Sequence, residues 1–569
     1  MPLESSLAKA ERTYIRLILG SFTALVVFIA ICWGGFHFYR NWQEGHLVRR
    51  AAAFMSGGDL KTASLNARRA LQLNENNVGA IRLIAQIAEK TGDRTALDWR
   101  RKAFELNPSS IDDALAFARS AMWFNDIGTA EKTLKSIEAS ANEKPEFHAA
   151  RGRLAEMKKD LAGAEAHWAR ATELAPNDTA YRFQLALTRL GLPDAAKREA
   201  AVSVLEQLRS DESQRAAATR TLIIDGVAHR GDAQRMRALA EELQSYPEAN
   251  VGDRIMYLEI LRQLRDARYE EYLARLKRDL PQKPGELAGL LSWMLRNHMA
   301  ADVVEFADSL PPETTTKWPV PLALAEARAQ MKDWLALEKM TRETNWSGYE
   351  FLRHAYLSRA LRGQDKQLAA EQELNAAQKE AAAHPQMLSM LTQTIADWGW
   401  QNEAVEMLWT LTKQPETKMR ALQTLYEHYT KISDTSGLYR TLTRFAELNP
   451  NNNALQNNLA QIELLLGANI DHGKKVAAEL IAKEPTNAAY LSTYAFALLT
   501  KGDVKGALQV MDGMNAEQLR DASVATYYGI ILAAAGQKEK AREYLRRASE
   551  ASLLPEEKAL VAKAESSLR

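Results

Sequence analysis

The chain has 569 residues, with 73 Lys and Arg against 72 Asp and Glu and a formal net charge of +1. That balance removes the electrostatic case for nucleic acid or for a strongly acidic partner, and 28 Gly and 17 Pro are too few for a low-complexity chain. The single cysteine, Cys32, excludes an intrachain disulfide and a cysteine-type zinc site.

A short tail, residues 1–16, comes first. Leu17 to Phe36 then carries no charged residue, a length sufficient at about 1.5 Å per residue to cross a hydrocarbon layer of roughly 30 Å. Tyr14, Trp33, Tyr39 and Trp42 cluster near its ends as interfacial aromatics do. Residues 17–38 are therefore expected to be a transmembrane helix. The following WGGFHFYR offers no small-x-small cleavage site, which argues against a removed signal peptide. Lys9, Arg12 and Arg16 on one side tie with Arg40, Arg49 and Arg50 on the other. A short uncleaved N-terminal anchor favours a cytoplasmic tail and an extracytoplasmic body, the periplasm if the source is bacterial.

Beyond the anchor the chain repeats. Turn residues Gly58, Gly92, Asn125 and Lys159 are spaced 34, 33 and 34 residues apart, and residues 39–180 read as well-phased helix pairs. In Pro145 to Asp178, Gly152 sits mid-way along a first helix. Ala164, Trp168, Ala171 and Leu174 follow at steps of four, three and three on a second, one apolar face of a 3.6-residue period, and Pro176 ends it. Gly152 and Ala164 allow close approach of the two helices, whereas Trp168 and Ala171 are expected to pack on the neighbouring unit.

Residues 181–310 keep helical periodicity, but their small residues lose register. Gly191-Leu192-Pro193 is a break and Arg209 to Arg215 a polar loop. Pro311 to Pro321, with four prolines in eleven residues, is expected to separate two arms. Register returns over residues 322–553, where Gly502 and Gly536 are again 34 apart. Residues 554–569 start with Pro555, Glu556 and Glu557 and read as a polar capping helix.

Small residues at these positions, a bulky one four later and a closing proline resemble the tetratricopeptide repeat. The resemblance implies an all-α fold, a right-handed α-solenoid of about a dozen units behind one N-terminal transmembrane helix. It also implies protein binding in a concave groove lined by the first helix of each unit. Placed on that motif, Arg82, Gln86, Arg119 and Arg153 face the groove with Trp123 nearby, a guanidinium ladder suited to carboxylates. Solvated or locally paired arginines, such as Arg153 with Glu156, are the plainer reading of the same residues. Phe496, Tyr527 and Ile530 occupy equivalent positions later on, and belong to the core if the register moves by one.

No catalytic, cofactor-binding or metal site is expected. HExxH, GxSxG and GxGxxG do not occur. GANIDHGKK, residues 467–475, has one residue too many between its glycines, and Lys475 stands where a phosphate loop needs Ser or Thr. His148 and His167 lie on opposite helices of one repeat without an evident carboxylate cluster. The expectation is a membrane-tethered scaffold that assembles or regulates an envelope complex with a protein partner. Two alternatives stand beside it. One is a cytoplasm-facing regulator like the membrane-anchored tetratricopeptide proteins of lipopolysaccharide synthesis, whose C-terminal cysteine metal site is absent here. The other is a divergent enzyme with a site in residues 182–395.

Overall fold

The computed structural model describes residues 38–569, so the apolar segment Leu17 to Phe36 lies outside the described residues. Among the described residues no helix is long and apolar enough to cross a membrane, and every regular element is helical. The chain divides into two compact units at Leu273/Ala274.

In the first unit the helix 38–56 pairs with Leu60–Leu73. First helices then start at Val78, Ile111, Pro145 and Thr179, at intervals of 33, 34 and 34 residues, and at Arg215 and Val251, at intervals of 36. Those from Val78 to Arg215 are each followed after a short turn by a second helix packed against it, as Leu161–Leu174 packs on Pro145–Met157. The stretch expected to be degenerate is thus still built of pairs. Gly191-Leu192-Pro193 is the turn between Thr179–Leu190 and Ala195–Leu208.

The second unit repeats the arrangement, with first helices starting at Pro284, Val320, Glu350, Pro385, Lys418, Asn453, Ala488 and Ala522. Its proline-rich segment does not separate two arms. Pro312–Thr315 is a single helical turn and Pro321 lies in the first turn of Val320–Gln330, where a missing N–H costs nothing. Trp318 stacks on Tyr349 at 4.0 Å and leans on buried Trp346, so the prolines join consecutive pairs within one unit.

One local device recurs in six of the turns within pairs. A residue with positive φ is followed by an aspartate whose carboxylate accepts the backbone N–H three residues on. Gly58-Asp59, Asn125-Asp126, Lys159-Asp160, Lys332-Asp333, Ser433-Asp434 and Gly502-Asp503 all do this. Each such N-cap contributes about 1 kcal/mol. The pairs close on small residues: Ala63, Ala67, Ala130, Ala164, Ala507 and Ala541 are all fully buried.

Trp168 corrects one expectation. It touches the next pair through Tyr181, at 6.3 Å between rings, but its indole first fills the space over Gly152 of its own pair. Its Nε1–H donates to Glu156 Oε1 at 2.8 Å.

Candidate functional site

The arginines singled out in the sequence all lie on first helices, and two of the three are engaged within the chain. Nε and Nη2 of Arg82 donate to both carboxylate oxygens of buried Asp113, on the next first helix, at 2.7 and 2.5 Å. Burial alone would raise the Asp113 carboxyl, but the hydrogen bonds from Arg82, Ser110 and Asn107 together with the Arg82 charge outweigh it and hold it below the ordinary value. Arg153 donates to Glu156 Oε2 at 3.0 Å. Arg119 is exposed, and Trp123, one turn further along the same helix, is 74% exposed. Gln86 is half-buried. Arg220 repeats the Arg82 arrangement, donating to Asp253 at 2.6 and 2.8 Å. The Arg–Asp fork is therefore a strut between successive first helices of this unit.

A concave surface lies in the second unit. Four consecutive first helices, Pro284–Arg296, Val320–Gln330, Glu350–Arg362 and Pro385–Asp397, line a cleft of about 620 Å³. Their contributions recur at helical spacing: Gly285, Ala288, Gly289 and Ser292; then Ala323 and Glu326; then Leu352, Tyr356 and Arg359; then Met390, Thr394 and Asp397. Glycine, alanine and serine on the first helix leave the room. The floor is buried Tyr356, whose hydroxyl donates to Glu326 Oε2 at 2.9 Å. Nη1 of Arg359 reaches the same oxygen at 3.0 Å, and its guanidinium lies 4.6 Å over the ring of Trp398. Burial, then the nearby Glu326 charge, push the Tyr356 phenol well above its ordinary value, so it remains a donor. Exposed Arg296, Gln330, Met390 and Asp397 form the rim. The arrangement offers an apolar trough with a fixed polar floor, suited to binding a side-chain-bearing segment.

The sequence reading did not find this cleft. Its signal was present as a period of three and four in each helix, but the helices had to be aligned before the stripes could be joined.

The remaining candidates fall into place as structure. Phe496, Tyr527 and Ile530 are buried and belong to the core. Gly467, at φ 63, ends one helix and the next begins at Ile470, so GANIDHGKK is a three-residue turn followed by the start of a helix. Nδ1 of His148 and Nδ1 of His167 are 3.2 Å apart. His148 Nε2 lies 2.8 Å from the Asn142 carbonyl and must donate there, which leaves its Nδ1 to accept from His167. Among the described residues no group of three or more His, Cys, Asp or Glu is placed to hold a metal.

No protein-family model and no curated protein matches the sequence. Among solved structures the chain is similar to a tetratricopeptide repeat protein from Parabacteroides merdae ATCC 43184, at 13% identity and TM-score 0.35 over 50% of this chain and 99% of that one. It is also similar to the Cut9–Hcn1 hetero-tetramer of the APC/C, at 12% identity and TM-score 0.31 over 92% of this chain and 96% of that one. MamA from Desulfovibrio magneticus RS-1 matches at 15% identity and TM-score 0.28 over 30% and 97%. At these levels the likeness bears on neither partner nor role. The chain's own helix pairs, recurring at close to 34 residues with small residues at their contacts and Asp-capped turns within several of them, make its described residues a tetratricopeptide-type repeat fold.

Proposed function

We propose that the protein is a membrane-tethered scaffold that holds a peptide or helix of a partner protein in the cleft of residues 285–398. The observation that supports this reading is that four consecutive first helices, and no second helix, supply the cleft's walls. Repeat solenoids use such first-helix surfaces for binding. The guanidiniums of Arg82 and Arg153 are already engaged, which favours the second unit over the Arg82–Arg153 face as the principal site. Leu17 to Phe36 supplies the tether, and assembly or regulation of an envelope complex is the role in keeping with an extracytoplasmic body.

A photo-crosslinking residue placed at Ser292 or Gln330 in the full-length protein in cells tests the cleft. Both are expected to give one shared partner adduct, absent from exposed Lys339 on the second helix Trp334–Glu343 and lost when Ala288→Trp fills the trough. An adduct that survives Ala288→Trp, or none from either site, overturns the assignment. Orientation is read by labelling Ser5→Cys and Ser567→Cys, in Cys32→Ser protein, with a membrane-impermeant thiol reagent. Labelling at 567 alone supports the extracytoplasmic body. Labelling at 5 alone reverses it and makes the protein a cytoplasm-facing regulator.

A further inference from the structure

The last helix, Pro555–Ser567, does more than close the stack. Its C-terminal half does cap the end: Ala564 and Leu568 join the core around Tyr528 and Leu545, and Arg542 Nη2 donates to the Leu568 carbonyl at 2.7 Å. Its N-terminal end runs back over earlier pairs. Leu554 packs among Tyr426, Leu442 and Leu459 and against the adjoining cluster of Leu425, Tyr429 and Leu438. The Thr435 hydroxyl, 121 residues upstream, donates to Glu556.

Glu557 is the centre of this contact and is only 6% exposed. Its Oε1 accepts from the Tyr527 phenol at 2.6 Å and from Nε2 of Gln461 at 3.1 Å. Its Oε2 accepts the Leu554 N–H at 2.8 Å. Burying a carboxylate is costly unless its oxygens are bonded, and here the donors come from first helices two pairs apart, Asn453–Leu466 and Ala522–Ala534. Among the described residues the Gln461 and Tyr527 side chains otherwise hydrogen-bond only to each other, at 3.1 Å. Their polar groups read the helix start of residues 554–557, as a binding face reads a bound peptide. A leucine in an apolar socket, a proline setting the first helical turn, and two carboxylates met by hydroxyl and amide donors make up a recognisable ligand.

We propose that the face built from Tyr426, Thr435, Gln461 and Tyr527 is a recognition site for a leucine–proline–diacid helix start, with Leu554–Glu557 as its occupant in cis. A segment of the same chemistry presented in trans binds there only by displacing the C-terminal helix. The short connection through residues 546–553 gives the cis segment an effective concentration on the order of millimolar, so the closed arrangement dominates until a competitor exceeds it.

The test uses the full-length protein and a fluorescent peptide of residues 551–569. Glu557→Lys, which alters the occupant and leaves the face intact, is expected to bind the peptide at least tenfold more tightly than wild type. Amide exchange in 555–567 should accelerate at least tenfold, while 488–512 is unchanged. Tyr527→Phe added to Glu557→Lys should weaken the peptide about tenfold. Unaltered exchange in 555–567, or equal peptide binding by wild type and Glu557→Lys, overturns the proposal. Should Glu557→Lys unfold the last pairs, Tyr527→Phe alone removes one hydroxyl at constant shape, and unchanged exchange of 555–567 in that variant overturns the proposal equally.

Discussion

Gly152 and Trp168 face each other across one helix pair so closely that a Cβ on Gly152 would lie 2.9 Å from Cε2 and Nε1 of the indole. The ring cannot retreat freely, because Nε1–H is bonded to Glu156, which also accepts from Thr188 of the next first helix at 3.2 Å. Gly152→Val is expected to cost about 1–3 kcal/mol as overpacking, with Ala164→Leu in the same range. Urea unfolding monitored by tryptophan fluorescence checks both. A loss below about 0.5 kcal/mol, the scale of an ordinary surface change, would show that the pair is loosely packed.

Lys159 and Lys332 hold φ of 61 and 57 ahead of their capping aspartates, a region where an L side chain is strained by about 1–2 kcal/mol. Lys159→Gly and Lys332→Gly should each stabilise the protein by about 0.5–1 kcal/mol after the added chain entropy of glycine. Replacing Gly92, φ 71, with Ala should do the reverse. Thermal midpoints of the three variants decide the matter.

The Arg220–Asp253 strut differs from surface ion pairs in that Asp253 is buried and also caps its own helix through the Asn250 N–H at 2.9 Å. Asp253→Ala should cost about 3 kcal/mol. A double-mutant cycle with Arg220→Ala should return a coupling of about 1–2 kcal/mol. The same cycle on exposed Arg444–Glu447 should give less than about 0.5 kcal/mol. Equal couplings would reduce the strut to a solvated pair.

Two groups lose their contribution on acidification, in different pH ranges. Burial first, then the Arg151 charge and neighbouring His148, lower the His167 imidazole below 6.5. The unfolded chain therefore binds its proton more readily, and stability full above pH 6.5 falls as pH drops below it. Glu338 accepts from Gln364 and Lys366, at 2.8 and 3.0 Å, and from Arg342. Those bonds, led by Gln364, pull its carboxyl from 4.5 to about 2. Its contribution is full above pH 4.5 and is lost between there and about 2. His167→Gln should flatten the thermal midpoint between pH 7.5 and 5.5, and Glu338→Gln should blunt its fall between pH 4.5 and 2.5.

The helix pairs were legible because their signals are local. The glycine, asparagine or lysine that enters positive φ and the aspartate that follows it are adjacent, and the alanines they align recur within one turn. The middle of the first unit was harder because other residues do the same work: Gly226 lies under Met236 there as Gly152 lies under Trp168. The Arg82 ladder was legible as positions and not as chemistry, since the carboxylate that engages Arg82 stands 31 residues away. The cleft of the second unit is spread from Gly285 to Trp398, a distance over which no motif survives. Pro555 and the two glutamates announced a helix start, but nothing in their own sequence named Gln461 and Tyr527 as the groups that meet it.

The return of residues 554–557 to Thr435 also changes how this part of the molecule is made. A stack in which every unit touches only its neighbours can gain its structure progressively, from either end. Here the pair that begins at Lys418 lacks one of its contacts until a segment more than a hundred residues later has been synthesised. Residues 418–567 should therefore mature late and as a single cooperative block, with loop closure slowing the final step.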